Sequence, residues 1–235
     1  MPGQVIRILS TRPLHASLKK LAGEKGIVID DIPFIEIMPL HEEPLLQKIR
    51  ELSLRPLNVV FTSMNAVEAV AAQAHQPSPW KIFSIGAATR TLAEQYFGKD
   101  NIDGTAPSAA ELAEEILRRH TTHEIFFFCG DQRRDELPDR LRQGGIKVNE
   151  IVVYRTVQKA HKTAASYNGV VFFSPSAVQS FFFINKVPPA TVLFAIGRTT
   201  AGVLREYSAN TIITAEAPEK EALIKQVIDH FQTRL

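Results

Sequence analysis

The chain has 235 residues, with 27 lysines and arginines against 25 aspartates and glutamates, which gives a formal net charge of +2 at pH 7. Hydrophobic residues make up 45% and charged residues 22%, a composition that is typical of a globular protein and excludes a disordered chain. The small net charge argues against nucleic acid as the main partner. The one cysteine, Cys129, can form neither a disulfide within the chain nor a cysteine-based zinc site.

The first residues and the apolar runs predict where the protein resides. Residues 1–13 contain only a four-residue apolar stretch, which Arg7 interrupts, and this is not the pattern of a signal peptide. No run approaches the ~18 apolar residues of a membrane span. We therefore expect a soluble, cytoplasmic protein with no membrane partner.

Short runs of β-branched and aromatic residues alternate along the chain with segments whose apolar residues recur at helical spacing. The strand candidates, in chain order, are 6–9, 58–63, 81–86, 124–129, 169–174 and 191–197. This alternation predicts the α/β class, with mostly parallel sheets that helices cover on both faces. Uninterrupted runs such as VVF and FFF fit strands that are buried on both sides.

Parts of the sequence recur at a constant spacing of 111 residues. VVFTSMNAVEAV begins at 59 and VVFFSPSAVQSF at 170, while IFSIG begins at 82 and LFAIG at 193. The segments around Gly26 and Gly145 are also similar to each other, at a spacing of 119. A period this long indicates duplicated domains, because solenoid repeats span about 20–50 residues. The alternative is a chance similarity among α/β units.

The repeated segments follow the order A (1–40), B (58–120), A′ (124–158) and B′ (169–235). Either A pairs with B, or B pairs with A′ while A and B′ form the other domain. Residues 30–40 and 149–159 favour the second arrangement, because these extended ends of A and A′ can carry the chain across as two adjacent strands. We predict one domain from 1–37 with 160–235 and a second from 38–159. The chain crosses between these two similar lobes twice, through a two-stranded linker, and the ligand lies between them.

Small, hydroxylated or glycine-bearing residues follow the predicted strands, at the edge where open α/β sheets bind ligands. The candidates for substrate binding are Arg12, Thr62, Ser63, Asn65, Gly86, Ser174, Ser176, Gly197, Thr199 and Thr200. The helix N-termini that begin there would offer backbone N–H groups to phosphate or carboxylate. Taken singly, each serine, threonine or asparagine is more often a helix N-cap than a ligand contact. The two glycines would allow close backbone approach, and Arg12 would bond a carboxylate.

Several common catalytic signatures are absent from the sequence. It contains no phosphate-binding loop, no dinucleotide fingerprint and no hydrolase nucleophile elbow. We expect no metal and no cofactor. A site that is rich in hydrogen-bond donors and lacks a conventional acid–base pair suggests a binding protein or an enzyme that steers a reactive substrate.

Four strings together resemble the uroporphyrinogen-III synthase family in their order and spacing. They are GDQRRDELPDRLRQGGIKVNEIVVYRTV (130–157), FTSMNAV (61–67), FFSPSAV (172–178) and AIGRTTA (195–201). The resemblance implies two α/β lobes joined by a two-stranded ladder. It also implies cyclisation of hydroxymethylbilane to uroporphyrinogen III in tetrapyrrole (heme) biosynthesis, with inversion of the terminal pyrrole ring, loss of water and no cofactor. The expected partner is this linear tetrapyrrole. We also expect a monomer, because the sequence contains no long heptad pattern or separate apolar helix that would indicate a partner surface.

The resemblance also assigns roles to single residues. The tyrosine of the family's V-Y-R motif falls on Tyr154, which it implies assists departure of the substrate hydroxyl. Thr62, Ser174, Ser176 and Thr199 match the F-T-S, F-S-P-S and I-G-x-T motifs. A tyrosine phenol, with an ordinary pKa of about 10, stays protonated at neutral pH and can donate a hydrogen bond. The other interpretation of Tyr154 is a linker tyrosine that packs against the lobes.

Two other functions remain open from the sequence. One is a non-catalytic tetrapyrrole-binding or carboxylate-binding protein on the same duplicated scaffold. The other is a nucleotide-dependent transferase, which would need a phosphate-binding loop that the sequence lacks.

Overall fold

The structure is a computed structural model, which describes residues 5–119, 122–163, 166–217 and 219–232. The chain divides into two units, Met1–Glu36 with Val157–Leu235 (unit 1) and Ile37–Thr156 (unit 2). The chain therefore passes from one unit to the other at 36/37 and 156/157, where the sequence suggested 37/38 and 159/160. No helix in the described part of the chain is both long and apolar enough to cross a membrane.

Strands and helices alternate along both units. In chain order the elements are β1 (Ile6–Ser10), α1 (Ala16–Gly23), β2 (Ile27–Asp31), β3 (Ile35–Pro39), α2 (Glu43–Ser53), β4 (Asn58–Phe61), α3 (Met64–Ala71), β5 (Lys81–Ile85), α4 (Ala87–Phe97), a 3₁₀ turn (Lys99–Asn101), β6 (Ile102–Ala106), α5 (Ala109–Arg119), β7 (Glu124–Gly130), α6 (Glu136–Gln143), β8 (Lys147–Gln158), β9 (Gly169–Phe172), α7 (Pro175–Ile184), β10 (Val192–Ala195), α8 (Arg198–Tyr207), β11 (Ile212–Thr214) and α9 (Lys220–Gln232).

Both sheets have the same strand order. The sheet of unit 1 runs β2-β1-β9-β10-β11, and all its neighbouring strands are parallel. The sheet of unit 2 runs β8-β7-β4-β5-β6, again parallel, and β3 lies beside β8 at its edge. The predicted α/β class with parallel sheets is confirmed. The pairing of β1 with β9 and of β7 with β4 joins segment A to B′ and segment A′ to B.

The central strands are buried on both faces, as their continuous apolar runs predicted. In β4, Val59 and Phe61 pack into one core cluster, whereas Val60 packs into the cluster on the opposite face. The same alternation places Phe126 and Phe128 of β7 in the first cluster. Because successive side chains of a strand point to opposite faces, a strand covered by helices on both sides has no polar face.

Strands β3 and β8 are adjacent at the positions where the chain passes between the units. The Leu40 N–H donates to the Val153 carbonyl (3.0 Å), and the Lys159 N–H donates to the Phe34 carbonyl (2.9 Å). Residue numbers rise along one strand as they fall along the other, so the two strands are antiparallel.

Candidate active site

In each sheet the strand order reverses once, and the predicted site residues lie at the carboxyl edge near that reversal. The reversal falls between β1 and β9 in unit 1 and between β7 and β4 in unit 2. Ligands of open α/β sheets bind at such switch points, outside the carboxyl ends of the strands. Ser63 follows β4 and Ser174 follows β9, so each begins a helix at its own switch point. The candidate residues thus form two sets, one on each unit.

In unit 2 the structure brings Ser63 and Tyr154 together. Ser63 is the N-cap of α3, where its Oγ accepts a hydrogen bond from the Ala66 N–H (3.2 Å). The same Oγ lies 3.1 Å from the Oη of Tyr154, which is half-buried on β8. Two hydroxyls that can each donate and accept therefore meet beside a helix N-terminus.

The loop that follows β7 fixes the backbone on either side of Tyr154. The Asp131 N–H donates to the Tyr154 carbonyl (3.1 Å), and the Thr156 N–H donates to Asp131 Oδ1 (2.9 Å). The Gln132 side chain donates to the Thr156 carbonyl (3.2 Å). Gly130, Asp131 and Gln132 are not among the predicted site residues. Two signals could have found them: they directly follow the predicted strand 124–129, and they begin the string that ends in the V-Y-R motif.

The other candidates of unit 2 follow the neighbouring strands β4 and β5. Thr62 and Asn65, on either side of the cap, are half-buried, and neither side chain has a hydrogen-bond partner among the residues that the structure describes. Gly86 is the N-cap of α4, with φ +76° and ψ 155°. This backbone conformation is almost confined to glycine. The Gly86 N–H donates to the Ala106 carbonyl (2.9 Å), which ties the start of α4 to the end of β6.

Ser174 of unit 1 repeats the geometry of Ser63. It is the N-cap of α7, and its Oγ accepts a hydrogen bond from the Ala177 N–H at 3.2 Å. Its second partner is the Ser176 Oγ at 3.1 Å, on a side chain that is 8% exposed. The duplication visible in the sequence thus extends to the capping hydrogen bonds, although the second hydroxyl partner differs between the units.

The segment that follows β10 lies on a groove within unit 1 that is lined by both polar and apolar residues. Gly197, the N-cap of α8, has φ −176° and ψ 174°, which is extended backbone that any residue adopts. It lines a groove of about 760 Å³ together with Arg198, Arg205 and Glu216. Thr199, in the first turn of α8, is exposed to solvent, whereas Thr200 is 3% exposed and lies in the interior.

Arg12 lies on a loop that several hydrogen bonds hold in place. Ser10 Oγ donates to the Arg12 carbonyl (2.6 Å), and Thr11 Oγ1 donates to the Val171 carbonyl (2.8 Å). The Arg12 guanidinium itself is exposed and has no partner among the described residues. A cation on an ordered loop, with no ion pair to break, is suited to an anionic ligand.

Asp31, at the end of β2, anchors the same loop. It accepts hydrogen bonds from the Leu14 N–H (3.0 Å) and from the Lys19 ammonium (2.6 Å). Burial alone would raise the pKa of Asp31, but these two donors outweigh it and hold the pKa below the ordinary value of 3.8. Asp31 is therefore ionised at neutral pH and fixes the loop that bears Arg12.

Cys129 packs in the interior of unit 2. Its side chain is 1% exposed, and burial raises the pKa of the thiol to about 11. A thiol in this state is a poor nucleophile at neutral pH. Within the described residues, no three histidine, cysteine, aspartate or glutamate side chains are grouped so that they could hold a metal ion.

The fold and the site together define a duplicated, doubly wound α/β protein with serine-capped helix N-termini at the switch point of each sheet. The model of one protein family, described as "Uroporphyrinogen-III synthase HemD", matches residues 16–225. The chain belongs to this family.

Named relatives and solved structures are similar to the chain at low identity. A uroporphyrinogen-III synthase of Saccharomyces cerevisiae (strain ATCC 204508 / S288c) is 24% identical over 173 residues. That alignment covers 62% of this chain and 62% of the yeast protein, so the chain spans less than two thirds of this relative's length.

Two crystal structures share the fold over nearly the whole chain. The uroporphyrinogen-III synthetase of Helicobacter pylori 26695 matches with a TM-score of 0.69 at 18% identity, over 96% of this chain and 99% of that one. A mutant uroporphyrinogen III synthase of the extremely thermophilic bacterium Thermus thermophilus matches with a TM-score of 0.63 at 15% identity, over 98% of this chain and 100% of that one.

Proposed function

We propose that the chain cyclises hydroxymethylbilane to uroporphyrinogen III, with inversion of the terminal pyrrole ring and loss of water, and without a cofactor. Membership of the uroporphyrinogen-III synthase family over residues 16–225 supports this reaction. The observation that carries the proposal is the 3.1 Å contact between the hydroxyls of Tyr154 and Ser63, two motif residues that lie 91 positions apart in sequence. This pair of hydroxyls at the edge of the sheet where ligands bind supports a role for Tyr154 as proton donor.

Tyr154 is the proposed catalytic residue. As the terminal C–O bond of the bilane breaks, the departing oxygen takes the phenolic proton and leaves as water. The bilane is left as a reactive azafulvenium cation, which the substituted α-carbon of the terminal ring attacks to form a spiro intermediate. The original bond between that carbon and its bridge carbon then breaks, and the released bridge carbon bonds to the other α-carbon of the terminal ring, which inverts the ring. The proton that the product later loses restores the phenol. One hydroxyl is enough for this role, because general acid catalysis needs a positioned proton and not a paired base.

The remaining candidates are proposed to bind the eight carboxylates of the substrate. The proposed contacts are Arg12, Thr62, Ser63, Asn65, Gly86, Ser174, Ser176, Gly197, Thr199 and, through its backbone N–H in the first turn of α8 because its side chain is buried, Thr200. Hydroxyls, a guanidinium and helix N-termini suit carboxylates, since each donates hydrogen bonds or carries partial positive charge. Holding a flexible bilane in one conformation is itself catalytic, because positioning supplies much of the barrier reduction for an intramolecular attack.

The decisive experiment is analysis of the product isomers after the purified protein is added to freshly prepared hydroxymethylbilane. The unassisted bilane closes without ring inversion and gives the type I isomer. Predominantly type III product, without added metal or cofactor, is the expected result. Only type I product from protein with a cooperative unfolding transition would overturn the proposal. If protein that gives only type I product also bound the bilane, the non-catalytic binding function would replace the proposed cyclisation.

We also propose that the two units are separate domains of a cytoplasmic monomer. Each unit has its own sheet and its own core clusters. The single tryptophan, Trp80, is 2% exposed in the core of unit 2, so its fluorescence reports that unit alone. Separate domains predict fluorescence and circular dichroism unfolding curves that do not coincide. Light scattering should give a mass near 26.2 kDa.

A further inference from the structure

The ring of Tyr154 occupies the space in which any side chain at position 130 would lie. A Cβ built on Gly130 would be 2.4 Å from Tyr154 Cζ, 2.5 Å from Cε2 and 2.7 Å from Oη. Contacts of a Cβ below 3.0 Å are essentially never found in proteins. The end of β7 can therefore carry only glycine while the Tyr154 ring stays where it is.

The backbone of Gly130 does not itself require glycine. The glycines of the described residues with positive φ are Gly26, Gly86, Gly98 and Gly145. Since Gly130 is not among them, alanine could adopt its backbone conformation without strain. The demand for glycine at this position thus comes from the Tyr154 side chain, which supplies the three atoms nearest to a built Cβ.

An irregularity in the sheet directs Tyr154 towards Gly130. Along β7 and β8, Cys129 is opposite Val152 but Gly130 is opposite Tyr154, so the register shifts by one residue at this point. Val153 and Tyr154 both pack against the same core cluster, although neighbours in a regular strand face opposite sides. Bulges of this kind turn a side chain in a new direction.

We infer that Gly130 is a positioning residue for the proposed cyclisation. Its missing side chain lets the Tyr154 ring lie against the end of β7, and this placement sets the Oη at 3.1 Å from Ser63 Oγ. The hydrogen bonds of Asp131 to the backbone of Tyr154 and Thr156 hold β8 at this distance. A methyl group at position 130 would therefore move the ring and its hydroxyl, while the strand stays in place. The inference rests on the proposed function only for its kinetic consequence, because the steric relationship holds without it.

The kinetic test compares Gly130→Ala, Tyr154→Phe and the double variant by the rate of type III product formation. A displacement of about 1 Å can cost on the order of 10²-fold in rate. We expect Gly130→Ala to lower kcat by about this factor with KM changed less than twofold. The double variant should be no slower than Tyr154→Phe, since there is no phenol left to misplace. The inference would be overturned if the reductions in kcat of the two single variants multiplied in the double variant. An unchanged kcat in Gly130→Ala would also overturn it.

A double-mutant cycle on unfolding stability tests the steric relationship between Gly130 and Tyr154 without any substrate. Gly130→Ala should lower the urea midpoint of the wild-type chain but not that of Tyr154→Ala, in which the ring is gone. Gly23→Ala is the matched control, because a Cβ at Gly23 meets no atom within 4 Å and should have the same effect in both backgrounds. Equal destabilisation by Gly130→Ala in both backgrounds would contradict the inference. A positive stability cycle with a wild-type protein that forms only type I product would instead refute the proposed function.

Discussion

The Ser63 hydroxyl caps helix α3 and also lies 3.1 Å from the hydroxyl of Tyr154, on a strand 91 positions later in the chain. Either hydroxyl can be the donor in this pair, and Ser63 can give its proton to Tyr154 Oη while its oxygen accepts the Ala66 N–H. The phenolic proton of Tyr154 is then free for a third group. The partial positive charge of the helix N-terminus favours negative charge at this place.

Tyr154→Phe is expected to lower kcat with little change in KM or stability. The substitution removes the proposed proton donor but keeps the ring against β7, and general acid catalysis commonly contributes about 10²-fold or more. Steady-state formation of type III product measures the effect, and a urea unfolding curve verifies the fold. An unchanged kcat would show that Tyr154 serves packing and that the proton comes from another group.

Ser63→Ala and Ser174→Ala form a matched pair. Each removes an N-cap that bonds the third following N–H at 3.2 Å, so each should cost about 1 kcal/mol of unfolding free energy. Their kinetic effects should differ. Ser63→Ala should lower kcat through Tyr154, whereas Ser174→Ala should raise KM through a lost carboxylate contact. If both variants changed kcat and KM alike, Ser63 would have no special relationship to the reaction.

Gly86→Ala and Gly197→Ala test equivalent positions with different backbones. Gly86 has φ +76°, so alanine there should reduce the free energy of unfolding by about 1–3 kcal/mol. Gly197 is extended and has open space where a Cβ would lie, so alanine should be neutral or stabilise by up to about 1 kcal/mol. Chemical denaturation of both variants gives the comparison. Equal losses of unfolding free energy in the two variants would mean that the positive φ of Gly86 is not the reason for glycine at that position.

The class of fold could be predicted from the sequence because strands covered on both faces leave continuous apolar runs, such as VVF in β4 and FFF in β7. The capping serines were recognisable because Ser63 and Ser174 share a 111-residue spacing and stand just before helical segments. The apolar runs and the residues before each helix are local signals, which depend on a few neighbouring residues, whereas the spacing reflects the duplication.

The contacts that give the site its geometry could not be predicted in the same way. The Gly130–Tyr154 packing depends on a register shift between β7 and β8, which no residue pattern marks. The difference between Gly86 and Gly197 arises in the backbone, although the sequence treats the two as equivalents. The burial of Thr200 next to the exposed Thr199 follows from the face of α8 that packs on the sheet.

Thr199→Ala is expected to raise KM more than it changes kcat. The exposed hydroxyl in the first turn of α8 is a proposed carboxylate contact, and a hydrogen bond to a charged group is worth about 1.5–3 kcal/mol. Partial exposure to water puts the effect at the lower end, about tenfold in KM. Initial rates over a range of bilane concentrations measure it. An unaltered KM would remove Thr199 from the binding residues.

Asp31→Asn is expected to destabilise the protein in a pH-dependent manner. The pKa of Asp31 in the folded state lies below its ordinary value of 3.8, so ionised Asp31 stabilises the fold above that pH. This stabilisation is lost as pH falls through the folded-state pKa. The difference in urea midpoint between wild type and Asp31→Asn should therefore be largest at pH 7 and shrink below pH 3.8. A constant difference from about pH 7 to about pH 3 would contradict the assignment.

Segment A joins B′ in unit 1, whereas A′ joins B in unit 2. Unit 1 is therefore built from two distant parts of the chain, and this has a consequence for synthesis on the ribosome. Residues of unit 2 are continuous from Ile37 to Thr156, so its sheet can close as soon as that stretch has emerged. In unit 1, by contrast, Ile8 of β1 lies beside Gly169 of β9, and the edge strand β11 ends at Thr214. Strands β1 and β2 can pair with each other early, but β1 lacks its other neighbour, β9, until most of the chain has been translated. Contacts this distant in sequence form slowly, so the N-terminal strands are the part of the nascent protein most exposed to aggregation and to chaperones.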